Sequence, residues 1–141
     1  MDAKDPVSEN FRTIITATLS VRHGARAIEF YKKAFGAVEL HHVDGDDGTV
    51  VSQLSVEGAE FWVADESPEH QNFSPESLGG CSVRMLLIVE DPDAVCRHAV
   101  AAGATQVVAV GEGHGWRLGR IRDPFGHHWE IGRQVAPPAA R

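Results

Sequence analysis

The sequence predicts an α+β fold made of two tandem β-α-β-β-β modules. Two stretches, Phe11 to Ala64 and Cys81 to Ile131, each read as strand, helix, strand, strand, strand. A shared spacing of 67 residues relates Gly36 to Gly103, Trp62 to Trp129, Ala27 to Ala94 and Leu19 to Leu86, at matched element types. Between the stretches, Ser67 to Gly80 carries Pro68, Pro75, Gly79 and Gly80 without periodicity, the composition of a loop. At 141 residues the chain makes one domain of two modules with a shared core, since either half alone buries too little surface.

The boundaries are residues 11–66 for the first module, 67–80 for the linker and 81–133 for the second module, with flexible tails at 1–10 and 136–141. Phe11 to Val21, rich in Ile and Thr, reads as the first strand. Ala27, Ile28, Tyr31, Ala34 and Phe35 place one apolar face on a helix over 25–35, closed by Gly36. Ala37 to Val43 and Thr49 to Val56 are strands joined by the hairpin loop Asp44 to Gly48, and Glu60 to Ala64 is the fourth. Although its acidic residues suggest a calcium loop, Asp44 to Gly48 lacks the glutamate at the twelfth place, which is Ser55. In the second module Cys81 to Val89 is a strand, and Asp91-Pro92 starts a helix over 94–102 closed by Gly103. Gln106 to Val110, Trp116 to Arg122 and His127 to Ile131 complete it. Gly111 to Gly115 reads as a mobile loop over the cleft, with Trp116 at its base as a ligand contact.

Composition excludes several classes. Thirteen Lys and Arg against twenty Asp and Glu give a net charge of −7, with no basic run to track nucleic acid. No apolar stretch reaches the roughly 18–20 residues of a membrane span. Two cysteines, Cys81 and Cys96, without a CxxC pair or a secretory leader, point to free thiols in the cytoplasm. Ser52, Ser55 and Ser82 have no patterned partners that would make a nucleophile.

The most informative run is Arg120 to Ile131. Asp123-Pro124-Phe125-Gly126 is a four-residue turn between two strands. On the returning strand His128, Glu130 and Gly132 share one face, and His127, Trp129 and Ile131 share the other. A carboxylate at the centre of an apolar strand makes Glu130 the leading functional candidate.

These runs, together with residues 27–37, 89–95 and 101–104, resemble the vicinal oxygen chelate superfamily: the glyoxalase, bleomycin resistance and dihydroxybiphenyl dioxygenase fold. The chain is most similar to its PhnB-like, or glyoxalase-like, branch over about residues 11–133. The resemblance implies a curved mixed sheet around a cleft, helices outside, and a homodimer. It also implies four metal-ligand positions, on the first and last strand of each module. These fall on Thr16, on Val63 or its neighbours Trp62 and Ala64, on Arg84, and on Glu130. One of the four is a ligand, so no metal is expected there, a divalent ion being the minor alternative. A guanidinium–carboxylate pair between Arg84 and Glu130 is expected in its place. His41 and His42, like His127 and His128, are adjacent on strands and point to opposite faces. A set of His128, Glu130 and a third ligand such as His114 is the remaining route to an ion.

The functional expectation is a protein that binds a small organic molecule in the cleft through Thr16, Trp62, Arg84, Trp116, His128 and Glu130. The alternatives are a glyoxalase-type lyase or isomerase with Glu130 as general base, and a dimeric interaction module without a small-molecule ligand.

Overall fold

The computed structural model describes residues 10–135; of the tails expected at 1–10 and 136–141, all but residue 10 lie outside them. Strands β1 (Thr18–Val21), β2 (Val38–Asp44), β3 (Val50–Val56) and β4 (Ala59–Asp65) form one sheet in the order β1-β4-β3-β2. Strands β5 (Arg84–Ile88), β6 (Thr105–Gly113), β7 (Trp116–Arg122) and β8 (His128–Gln134) form a second in the order β5-β8-β7-β6. Helix α1 (Gly24–Phe35) crosses the first sheet and α3 (Pro92–Ala101) the second; a short α2 (Pro75–Leu78) lies between them. In each sheet the first strand runs parallel to the last, and the other pairs are antiparallel.

Local chemistry sets the helix ends. At the start of α1 the Gly24 N–H donates to Asp65 Oδ1 at 3.0 Å, and Val50 N–H donates to the other oxygen at 2.7 Å. A Cβ on Gly24 would lie 2.5 Å from Asp65 Oδ2, so only glycine lets the carboxylate approach this closely. Gly36, at φ 70°, closes the helix by donating to the Lys32 carbonyl. At α3, Asp91 accepts from the Ala94 N–H at 3.2 Å and Pro92 takes the first turn, as the sequence predicts.

Three expectations need correction. The first strand begins at Thr18, not Phe11. Its partner β4 starts at Ala59, opposite Ile15 in this register, so residues 11–14 have no strand to pair with: Phe11 is 71% and Ile14 68% exposed. β-branched composition describes a residue suited to a pleated surface and says nothing about whether a partner exists. The linker is not a bare loop. It holds a 3₁₀ turn at Pro68–His70 and α2, whose Ser74 hydroxyl accepts from the Ser77 N–H. Glu66 clips it down, accepting from Ser74 N–H at 2.8 Å and from the Ser77 hydroxyl at 2.9 Å, with Arg22 at 3.6 Å. Finally, Gly111 to Gly113 belongs to β6 and pairs with Trp116 to Leu118, so the expected mobile loop is a two-stranded hairpin turning at His114 and Gly115.

Buried residues of both sheets form one core around α1 and α3. Trp129 on β8 packs 4.8 Å from Phe35 and 5.3 Å from Phe61 between ring centroids, joining the second module to the first. Beneath these rings lies Asp123, 2% exposed. Its Oδ1 accepts from the N–H groups of Phe125 (2.9 Å) and His127 (3.0 Å), and its Oδ2 from the Trp129 indole N–H at 3.0 Å and from the Tyr31 hydroxyl. Burial, reinforced by the Asp123 charge, raises the Tyr31 phenol well above its ordinary value. The carboxylate thus fixes the β7–β8 turn and ties it to α1 of the other module.

Asp123→Ala strands four donors in the core and is expected to cost at least about 3 kcal/mol. Tyr31→Phe removes one donor of the four and is expected to cost about 1–2 kcal/mol. Urea unfolding of both variants checks this. Equal midpoints for Asp123→Ala and the parent would show that the network holds nothing together.

Candidate functional site

With the core fixed, the pleat decides which residues face outward. Leu19, Val21, Phe61, Val63, Leu87, Trp129 and Ile131 turn inward, so their strand neighbours carry the open faces of the two sheets. The buried sets align Leu19 with Leu87, Phe61 with Trp129 and Val63 with Ile131, each pair 68 residues apart. The 67-residue spacing holds for β3 and β7, where Leu54 matches Ile121. The turn from β7 to β8 has one residue more than the turn from β3 to β4, which accounts for the step from 67 to 68 between these strands and β4 and β8. Trp62 therefore corresponds to Glu130, and the tryptophan coincidence with Trp129 was one residue out of phase. The second family position is Trp62 and not Val63, which is fully buried in the core.

The four corner positions are thus Thr16, Trp62, Arg84 and Glu130, all of open-face parity. Thr16 donates its hydroxyl to the Glu60 carbonyl at 3.3 Å, and Trp62 stacks edge-on against His41 at 6.0 Å. Arg84 Nε lies 3.2 Å from Glu130 Oε1, the pair expected from the sequence. A second cation, missed by the sequence reading, completes it: Arg120 Nη2 lies 3.4 Å from Glu130 Oε2. Each carboxylate oxygen faces a guanidinium. At these corners a divalent ion would find a hydroxyl, an indole, a cation and one carboxylate already paired twice; the donor set does not fit one.

The ladders of the second sheet give the site its plan. Arg84, His128 and Arg122 lie side by side across β5, β8 and β7; Leu86, Glu130 and Arg120 form the next row. Then come Ile88, Gly132 and Leu118, and Trp116 lies beyond them opposite Gln134. Strand spacing of about 4.8 Å keeps the members of each row within reach of one another. Trp116 is half-buried at the start of β7, at the far end of this face from His128. His114 sits at the hairpin tip, six residues along from Arg120, or about 20 Å of strand. That is too far to join His128 and Glu130 in holding an ion.

Arg120 and Arg122 were legible in principle. Across a hairpin, positions that face each other have a constant sum of residue numbers, and the Asp123 to Gly126 turn sets Arg122 opposite His128 and Arg120 opposite Glu130. The His128 Nδ1 is out of solvent and, among the described residues, has no hydrogen-bond partner. Burial depresses its basicity, helped by the charges of Arg120 and Arg122. His42, on the other module, behaves oppositely. Hydrogen bonds that its ring donates to the carboxylates of Glu39 and then Asp44 raise it, with Nε2 2.9 Å from Asp44 Oδ1.

Two four-stranded mixed sheets with these connections define a protein of the glyoxalase and bleomycin resistance fold, within the vicinal oxygen chelate superfamily. The sequence profile of the glyoxalase-like domain matches residues 16–132, and the chain belongs to that family. An uncharacterized protein of Mycobacterium tuberculosis, Rv0887c, is 40% identical over 137 residues, spanning 93% of this chain and 80% of the relative. The crystal structure of the Arabidopsis thaliana At5g48480 product superposes with a TM-score of 0.67 at 32% identity, covering 87% of this chain and 99% of that one. The fosfomycin resistance protein FosX of Listeria monocytogenes superposes at 0.68 with 13% identity, covering 88% and 94%, and shares the fold.

The two histidines give opposite pH signatures. His128, depressed in the folded chain, leaves the unfolded chain binding more protons below about 6.5, so its contribution to stability is complete above that pH and lost as pH falls toward the folded value. His42, raised in the folded chain, contributes fully below about 6.5 and loses its contribution as pH rises through the folded value. An NMR titration of the imidazole signals is expected to place the His128 midpoint below, and the His42 midpoint above, the ordinary value. A shared midpoint for the two would contradict the environments described.

Proposed function

We propose that this protein binds a small organic molecule on the open sheet face, as a homodimer, without the divalent ion of metal-using relatives. The observation that carries the reading is the Arg84–Glu130–Arg120 arrangement at the corner where such an ion would be held. A guanidinium does not bind a metal cation, and the carboxylate's charge is already met. Thr16, Trp62, Trp116 and His128 supply the polar and aromatic lining expected of a small-molecule site. The same fold houses a fosfomycin resistance protein, so small-molecule work is within its range, although fold alone does not assign it.

Support for a second copy comes from what one chain leaves uncovered. Ile88 is 60%, Val83 66% and Leu86 51% exposed on or beside the open face. Strands β1 and β5 are each paired on one side only. Exposed apolar surface next to free strand edges is what a partner subunit covers.

The tests are direct. Light scattering on the eluting protein is expected to give twice the chain mass. Metal analysis after purification without chelator is expected to give far less than one divalent ion per chain. With hemithioacetals and added Mn²⁺, Ni²⁺ or Zn²⁺, no turnover dependent on Glu130 is expected. One tightly held ion per chain, with turnover abolished in Glu130→Gln, would replace this reading with the lyase or isomerase one.

A further inference from the structure

The open face of the second sheet is chemically divided, and the division identifies the kind of molecule it takes. At one end lie Arg84, Arg120 and Arg122 around a single carboxylate, Glu130. Glu130 satisfies one charge and touches two of the three guanidiniums, leaving an excess of two positive charges on the face. Arg122 is exposed and, among the described residues, has no carboxylate partner. This excess stands on a chain whose net charge is −7, so it is a local feature and no reflection of a basic protein. At the other end the rows turn apolar through Leu118 and Trp116. Between the two ends Gly132 is buried: a Cβ there would sit 2.5 Å from the Leu118 side chain, which covers the strand at this row and forms the floor.

From this plan we infer that the molecule bound here is an amphipathic anion: a carboxylate or phosphate group seated on Arg122 and its neighbouring guanidiniums, with a flat apolar body laid over Leu118 toward Trp116. Planar, bidentate recognition of such oxygens is what guanidiniums do best. Rows of strand residues advance by about 6.6–6.8 Å for every second position, so the span from the Arg122 row to the Leu118 row is about 13 Å. That length suits a fused aromatic acid better than a small anion such as acetate. The inference deepens the binding reading above and rests on it. It also separates this face from the first sheet, whose corresponding corner presents Trp62 and Thr16 and no cation.

The test uses the full-length protein, isotope-labelled, with matched probes: 2-naphthoate, 2-naphthyl phosphate, 2-naphthylmethanol, 2-naphthylmethylammonium, benzoate and acetate. Both naphthyl anions are expected to shift the backbone amides of β5, β7 and β8, with affinity falling from naphthoate to benzoate to acetate. The stronger of the two naphthyl anions identifies the head group. Arg122→Gln, at an exposed position that folding does not depend on, is expected to weaken both at least about tenfold, the loss of one charge-assisted hydrogen bond. If the neutral or cationic naphthyl probe shifts the same amides as strongly, undiminished by Arg122→Gln, the anion inference is overturned while small-molecule binding stands. Should no probe of any charge perturb this face, both fall together.

Discussion

The structure depends on one buried carboxylate. Asp123 accepts four hydrogen bonds from two modules in a place where water cannot help. An ionised carboxylate is among the costliest groups to bury, and it is tolerated only when its oxygens are filled by donors in good geometry. Here two of the donors are backbone N–H groups of its own turn, which shape the return from β7 to β8. The other two are the Trp129 indole and the Tyr31 hydroxyl, which decide where that turn sits relative to α1. Removing the charge would satisfy no one, because the donors are fixed by the same rings that build the core. The link between the modules is thus a polar one, wrapped in Phe35, Phe61 and Trp129.

That arrangement explains which parts of the fold could be read directly from the sequence. The β-α-β-β-β order, both helices and the alternation of His128 and Glu130 against Trp129 and Ile131 follow from periodicity and caps, which are local. The buried Asp123 does not, because Asp-Pro-Phe-Gly reads equally well as an exposed turn, and nothing in the run says that Tyr31, ninety-two residues earlier, lies over it. The spacing of the repeat was misjudged by one residue for a related reason. Two tryptophans coincide at 67, yet Trp62 faces outward and Trp129 inward; side-chain period two makes a slip of one residue a change of face. The strand assigned from Phe11 fails because pairing needs a partner of sufficient length, information that sits in β4.

At the candidate site the sequence went further than at the core. Arg84 and Glu130 were placed together by the family resemblance, which puts ligand positions on first and last strands that neighbour each other in each module. What escaped notice was Arg120, although the hairpin geometry around the Asp123 turn contains it. Its presence changes the chemistry. One arginine beside a carboxylate makes a neutral pair, whereas three around one carboxylate leave a cationic face with a fixed outline. The aromatic and aliphatic residues beyond it lie on the same strands, so polarity changes along the strand axis within a few residues.

Core and site are consequently two faces of one hairpin. The network on the inner face sets the β7–β8 register, and the register sets Arg122 opposite His128 and Arg120 opposite Glu130 on the outer face. A slip of one residue would turn Trp129 and Ile131 outward and bury Glu130 against the aromatic core, a change opposed by every donor on Asp123. The outer face carries charges that repel one another, three guanidiniums around a histidine whose basicity two of them, Arg120 and Arg122, help to suppress. Such a cluster would relax by moving apart if its strands were free to do so. The inner carboxylate opposes this: the donors it holds beneath the sheet keep the cations above it at ladder spacing.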